Sequence, residues 1–83
     1  MSKTVKMYTL STCSHCKATK QLMQDLEIDY DFTDVDLLDV LEKAETIREI
    51  KKVNPRCTFP TIIIGDRVII GYREQEIKEA LES

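Results

Sequence analysis

The spacing of apolar residues changes character several times along this chain, and each change marks an element. Val5-Lys6-Met7-Tyr8-Thr9 is short and rich in β-branched and aromatic residues, which predicts a first strand. From Cys16 the period turns helical. Ala18, Leu22 and Leu26 recur every fourth residue with Met23 beside them, so one apolar stripe runs down a helix. Asp25, Glu27 and Asp29 break that pattern, and Tyr30 to Val35 reads as a second strand whose alternation slips at Thr33. Asp36 or Asp39 is placed to cap the next helix, in which Leu37, Val40, Leu41, Ala44, Ile47 and Ile50 fall at three- and four-residue intervals. Its charged face of Glu42, Lys43, Glu45, Arg48, Glu49, Lys51 and Lys52 reads as a solvated surface with supporting ion pairs. Asn54-Pro55 stops the helix, because the residue before a proline is pushed out of the α region.

After a loop over Arg56-Cys57-Thr58-Phe59-Pro60, two β runs, Thr61–Ile64 and Arg67–Ile70, flank Gly65-Asp66. A two-residue turn with glycine supplying positive φ predicts an antiparallel hairpin. The isoleucine run predicts a strand covered on both faces. Gly71 breaks the pattern, and Arg73 to Glu82 predicts a closing helix with Ile77, Ala80 and Leu81 turned inward. The order is β-α-β-α-β-β-α. The first two strands, joined through a helix, are expected to be parallel with a right-handed crossover. The fold class is therefore α/β, with a four-stranded mixed sheet between three helices.

Composition narrows the class. The 83 residues (1–83) suit a single domain with a modest core. Hydrophobic residues make up 42% and charged residues 33%, the balance of an ordinary water-exposed globular protein. A net charge of −3 argues against a general nucleic-acid binder. No apolar run reaches membrane-spanning length, and Met1 to Lys6 carries no secretory core, so no membrane partner is expected. Three cysteines are an odd number for a disulfide-stapled secreted scaffold, which points to a reducing cytoplasm.

Two of those cysteines carry the candidate chemistry. Ser11-Thr12-Cys13-Ser14-His15-Cys16-Lys17 lies between the first strand and the first helix. A helix N-terminus presents unpaired N–H groups and a partial positive charge, and a thiolate placed there is stabilised. Three-residue spacing on the first turn brings two sulfurs within reach of a disulfide. The pattern implies reversible dithiol–disulfide exchange, with Cys13 attacking and Cys16 resolving. A zinc site would need two more ligands, and only Cys57 and His15 are left to supply them, at poor spacing. No metal is therefore assigned. His15 is placed to tune the cysteine pair or to stand in solvent. Lys17 reads as an exposed lysine, or one that adds positive potential near Cys16, and Cys57 as a small packing residue near the rim of the site, a third redox thiol or a metal ligand.

With these residues in place the chain resembles the glutaredoxin group of the thioredoxin fold. Tyr8-Thr9, the Cys13–Cys16 pair, Thr58-Phe59-Pro60 and Gly71 stand in the family's order and at about its spacing. The resemblance implies a thioredoxin-like fold, a nucleophilic Cys13, a resolving Cys16, and a cis Pro60 facing them. It also implies that the backbone of Phe59 pairs with an extended substrate. Thr12, His15, Thr58, Phe59, Pro60, Gly71, Tyr72 and Arg73 are the expected substrate-binding residues. No cofactor is expected beyond the internal Cys13–Cys16 disulfide, with glutathione a possible reductant.

Three departures carry information. Ser14-His15 replaces the usual proline and tyrosine. Leu10 stands where many members carry a lysine that meets a glutathione carboxylate. Ile70-Gly71-Tyr72-Arg73-Glu74 is more similar to the redoxins that serve ribonucleotide reductase, which thioredoxin reductase reduces. The resemblance thus implies a monomeric, cytoplasmic thiol–disulfide oxidoreductase that reduces protein or small-molecule disulfides through a reversible Cys13–Cys16 disulfide. Its partners would be disulfide-containing proteins and a thioredoxin-reductase-like or glutathione electron donor. The rival readings are an iron–sulfur or metal carrier using Cys13, against which Cys16 argues, and a redox-regulated interaction domain.

Overall fold

The computed structural model describes residues 4–82. Residues 1–3, read above as leading straight into the first strand, lie outside the described residues, as does Ser83. The elements are β1 (Val5–Thr9), α1 (Ser14–Asp25), β2 (Asp31–Asp34), a 3-10 turn (Val35–Leu37), α2 (Val40–Val53), β3 (Thr61–Ile64), β4 (Arg67–Ile70) and α3 (Glu74–Glu82). The sheet order is β2-β1-β3-β4. β1 is parallel to β2 and antiparallel to β3, and β3 is antiparallel to β4. This is the expected β-α-β-α-β-β-α order and mixed sheet of a thioredoxin-like fold. The strand directions have one consequence for function. The C-terminal ends of β1, β2 and β4 and the start of β3 all lie at one edge of the sheet.

Alternation along the strands sorts side chains between two layers. Val5 and Met7 of β1, Ile62 and Ile64 of β3 and Ile69 of β4 pack with Leu22 and Met23 of α1 and Ile77 and Ala80 of α3. On the opposite face Tyr8 packs with Val35 and Ile50, flanked by Leu10, Ile47, Cys57, Phe59 and Ile63. Val68 and Ile70 of β4 are on this second face and stay partly open to solvent. The isoleucine strand is therefore covered on both faces at β3, whereas the adjoining edge strand is not.

Element ends follow local chemistry. Cys13 caps α1, so the helix begins at Ser14, two residues before the apolar period does. It ends in a Schellman arrangement, with Glu27 N–H on Gln24 O (3.1 Å) and Ile28 N–H on Met23 O (2.9 Å). Glu27 takes the left-handed conformation there (φ 57°). Leu26 thereby falls at the helix cap, exposed, and leaves the stripe expected of it. β2 is shorter than expected, four residues. Of the two candidate caps for α2 it is Asp39 that serves, its carboxylate accepting from Glu42 N–H at 2.9 Å.

The largest difference from expectation lies on α2 and on the 3-10 turn before it, where Leu37 falls outside the helix expected to hold it. Leu37, Val40 and Leu41 are 70%, 83% and 78% exposed, and Ala44 is exposed as well. Only Ile47 and Ile50 of the expected stripe reach the core. Apolar residues spread over more than half of this helix's circumference, so periodicity alone does not choose the buried side. The chain on either side of the helix does. At the far end the Asn54 amide, fully buried, lies 3.1 Å from Thr58 O, 3.1 Å from Thr58 Oγ1 and 3.0 Å from Thr61 Oγ1. At the near end Asp36 accepts from Ser11 N–H (2.9 Å) and Ser11 Oγ. Both ends are fixed, and the helix turns its C-terminal half to the sheet.

Candidate active site

Cys13 stands at the edge where the ends of β1, β2 and β4 and the start of β3 meet. Its N–H donates to Leu10 O (3.2 Å), closing the turn out of β1. Its backbone is extended (φ −83°, ψ 120°), and its Sγ accepts the backbone N–H of Cys16 at 3.2 Å. The sulfur thus occupies the position that a serine or aspartate oxygen takes in an ordinary N-cap. It therefore meets one of the unpaired N–H groups and the positive end of α1.

Cys16 sits one turn later in a different environment. It is fully buried, while Cys13 is partly open. Burial pushes the Cys16 thiol up to about 12, and the hydrogen bond with Cys13 adds to this. A backbone hydrogen bond from Leu10 and the charge of Lys20 act in the opposite direction. The two thiols are therefore unequal in the reduced protein. Cys16 holds its proton, and Cys13 is the sulfur presented to solvent. Both are free thiols here, as is Cys57.

The loop before β3 supplies the facing wall. The Phe59–Pro60 bond is cis, and Pro60 is buried. Pro60 O accepts the N–H of Gly71 at 2.8 Å, joining this loop to the segment after β4. Gly71 adopts φ 90°, a region open to glycine and strained for residues bearing a Cβ. Thr58 is exposed and its carbonyl is held by Asn54 and by Thr61 Oγ1 (2.8 Å), while Phe59 is half-buried. Cys57 takes the left-handed conformation (φ 50°) and packs beside Tyr8, Val35 and Ile50.

The remaining sequence candidates divide. Thr12 and His15 are exposed beside Cys13. Tyr72 turns along α1 instead. It lines a groove with Ala18, Gln21, Leu22 and Leu26, and its hydroxyl donates to Glu74 at 2.9 Å. Arg73 donates through Nε to Ile70 O (3.2 Å) and lies 3.9 Å from Glu76. Leu10 packs into the α2-side cluster. Among the described residues, no three histidine, cysteine, aspartate or glutamate side chains gather where they would hold one metal ion. No helix among them is long and apolar enough to cross a membrane.

Sequence reading missed one group. Thr9, fully buried at the end of β1, places its hydroxyl 2.5 Å from Asp34 Oδ1 and 3.2 Å from Thr33 O. Lys20 Nζ lies 3.1 Å from the same Asp34 oxygen and 4.0 Å from the centroid of the Phe32 ring. The signal available in the sequence was that Lys20 follows Cys16 by four residues, on one side of α1.

The cap geometry, the paired thiols and the strand directions define a thioredoxin-like thiol-oxidoreductase scaffold. The chain belongs to the glutaredoxin family: the family model described as Glutaredoxin matches residues 5–69. The chain is 32% identical over 78 residues to an uncharacterized glutaredoxin-like 8.6 kDa protein in the rubredoxin operon of Clostridium pasteurianum. The match spans 94% of this chain and 97% of that one. Among solved structures it is similar to methanoredoxin from Methanosarcina acetivorans, with 43% identity and a TM-score of 0.90 over 96% of this chain and 85% of the other. It is also similar to NrdH-redoxin from Escherichia coli, a glutaredoxin-like protein described as having a thioredoxin-like activity profile. There the identity is 32% and the TM-score 0.70, over 90% of this chain and 91% of that one.

Proposed function

We propose that this protein is a dithiol–disulfide oxidoreductase that reduces disulfides in other proteins and prefers a protein reductant to glutathione. The observation that carries the reading is the inequality of the two thiols. Cys13 caps α1 and accepts the Cys16 N–H at 3.2 Å, while the Cys16 thiol is buried behind it and pushed up to about 12. Cys13 thiolate attacks one sulfur of a substrate disulfide, forming a mixed disulfide and releasing the other sulfur as a thiolate. Cys16, once deprotonated, attacks the Cys13 sulfur. The Cys13–Cys16 bond forms, the bond to substrate breaks, and the second substrate sulfur leaves as a thiolate that takes up a proton. Two electrons pass to the substrate, and the enzyme is left oxidised.

The preference for a protein reductant is argued from charge. Glutathione carries two carboxylates and an ammonium, and charge-assisted hydrogen bonds orient such a ligand best. Leu10 offers no charge and is packed inward. Tyr72 is committed to Glu74, and Arg73 leans on Ile70 O and Glu76. The loss of one charge-assisted contact weakens binding by about 1.5–3 kcal/mol, roughly ten- to a hundredfold.

The test begins with trapping. Cys16→Ser is expected to accumulate a mixed disulfide with a protein substrate, and Cys13→Ser to lose turnover altogether. Full turnover by Cys13→Ser refutes the mechanism. An NADPH-coupled assay then compares glutathione plus its reductase with thioredoxin reductase alone. Faster reduction of the Cys13–Cys16 disulfide by glutathione at cellular concentration refutes the stated preference.

A further inference from the structure

The resolving step needs the Cys16 thiolate, yet Cys16 is the fully buried sulfur of the pair. Resting on the dithiol reading above, we propose that Lys20 is a positioning residue for this step. Its ammonium, fixed by Asp34 one turn along α1 from Cys16, is the charge that favours the Cys16 thiolate while Cys13 is held in the mixed disulfide.

Three features of the fold carry this. Cys16 and Lys20 are four residues apart on α1 and so lie on one side of the helix, within a turn of each other. The Lys20 side chain is turned inward: it and Asp34 are 19% and 16% exposed, against 68% and 61% for Lys52 and Glu49. Screening by water is accordingly weaker at this pair than at the surface. The pair also ties three elements together, α1, β1 and β2. Asp34 ends β2, its Oδ1 meets the buried Thr9 hydroxyl at the end of β1, and Lys20 rests over Phe32. An ammonium so placed cannot swing into solvent without leaving the Asp34 carboxylate, in a largely buried site, with the neutral Thr9 hydroxyl in place of its cation.

The charged and titratable groups around Cys16 are few. Its own helix brings Lys20, the cap brings Cys13, β2 brings Asp34 behind Lys20, and β1 brings Thr9, which is uncharged. His15 and Lys17 are on the exposed side of α1. In the reduced protein Cys13 and burial together keep the proton on Cys16, so that Cys16 does not compete as the attacking thiol. Once Cys13 is in a mixed disulfide it carries no charge, and its opposition to the Cys16 thiolate ends. Burial is then opposed by the Leu10 backbone hydrogen bond and by Lys20, of which only Lys20 brings a charge. In the step itself the Cys16–Cys13 bond forms as the Cys13–substrate bond breaks. The proton that Cys16 gives up is balanced by the one the departing substrate thiolate takes.

The test uses 5,5′-dithiobis(2-nitrobenzoate) as the disulfide, with reduced protein carrying Cys57→Ser so that only the active pair reports. Attack by Cys13 releases one coloured thiolate, and resolution by Cys16 releases a second. Lys20→Met is expected to leave the first release unchanged, to slow the second about tenfold at pH 7, and to move the pH midpoint of the second upward by about one unit. Lys20→Arg is expected to restore both. The double variant Lys20→Met/Asp34→Asn leaves no lone carboxylate in the site, and it is expected to behave like Lys20→Met should the single variant fold poorly. A second release with unaltered pH profile in Lys20→Met or in the double variant overturns the proposal, as does a Lys20→Arg variant as slow as Lys20→Met. If the unmutated active pair gives no second release at all, the dithiol mechanism itself fails and this inference falls with it. A defect confined to Lys20→Met does not have that consequence.

Discussion

The two faces of the sheet are built to different standards. On one, α1 and α3 close over Val5, Met7, Ile62, Ile64 and Ile69, and every one of these residues is buried. On the other, a single helix covers a smaller cluster around Tyr8, Val35 and Ile50, and Val68, Ile70, Leu41 and Val40 keep contact with water. Nothing in helical periodicity distinguishes α1 from α2 as clearly as this. The difference lies in what each helix has to pack against. α1 and α3 share a face and complete each other, whereas α2 crosses its face alone and is held at its ends by Asp36 with Ser11 and by Asn54. The well-packed face supports the helix that Cys13 caps and whose first turn carries Cys16. The sparser face carries the turn to Cys57 and Pro60, where polar contacts from Asn54 and Thr61 add to the packing of Cys57 and Phe59.

Four substitutions test this contrast. Met23→Ala opens a cavity in the well-packed face and is expected to cost about 2–5 kcal/mol in denaturant unfolding. A cost below about 1 kcal/mol would mean that this face relaxes as readily as the other. Asn54→Ala, on the sparser face, removes the donor to Thr58 O, Thr58 Oγ1 and Thr61 Oγ1. Its expected cost is about 1–3 kcal/mol, because the buried Thr61 hydroxyl and the part-buried contacts to Thr58 lose their donor. Amide exchange around Thr58 to Thr61 should quicken with it, and unchanged exchange there would deny Asn54 its part in holding the loop.

Asp39→Ala is expected to do less, lowering Tm through loss of the α2 cap. The Glu42 N–H holds the Asp39 carboxyl below its ordinary 3.8. A carboxyl lowered on folding contributes stability that is present above its unfolded value and is lost as pH falls through the folded one. The Tm gap between the two proteins should accordingly be full at pH 6 and shrink on acidification below about pH 4. A gap that does not change with pH would show that the carboxylate charge is not what caps the helix. Leu41→Ser is expected to change stability least, by less than about 0.5 kcal/mol, since its side chain has almost nothing to leave. A cost near that of Met23→Ala would show Leu41 buried in solution.

What the sequence determined by itself was what local rules control. The strand Val5–Thr9, the Cys13-x-x-Cys16 pair on a helix start, the Gly65-Asp66 hairpin and the family membership rest on short-range chemistry: β-branched runs, capping, turn residues and the spacing of two thiols. The tertiary structure decided whatever depends on which surface an element meets. It turned Leu37, Val40 and Leu41 of a long apolar pattern outward, because the ends of α2 are held elsewhere. It sent Tyr72 along α1 toward Glu74. And it brought Thr9, Lys20 and Asp34 together from three elements, since parallel pairing of β1 and β2 puts Thr9 and Asp34 side by side at the strand ends. A sequence shows that a lysine follows a cysteine by one turn. Only the packed sheet supplies the carboxylate that draws that lysine inward, into a site that water screens less than the surface.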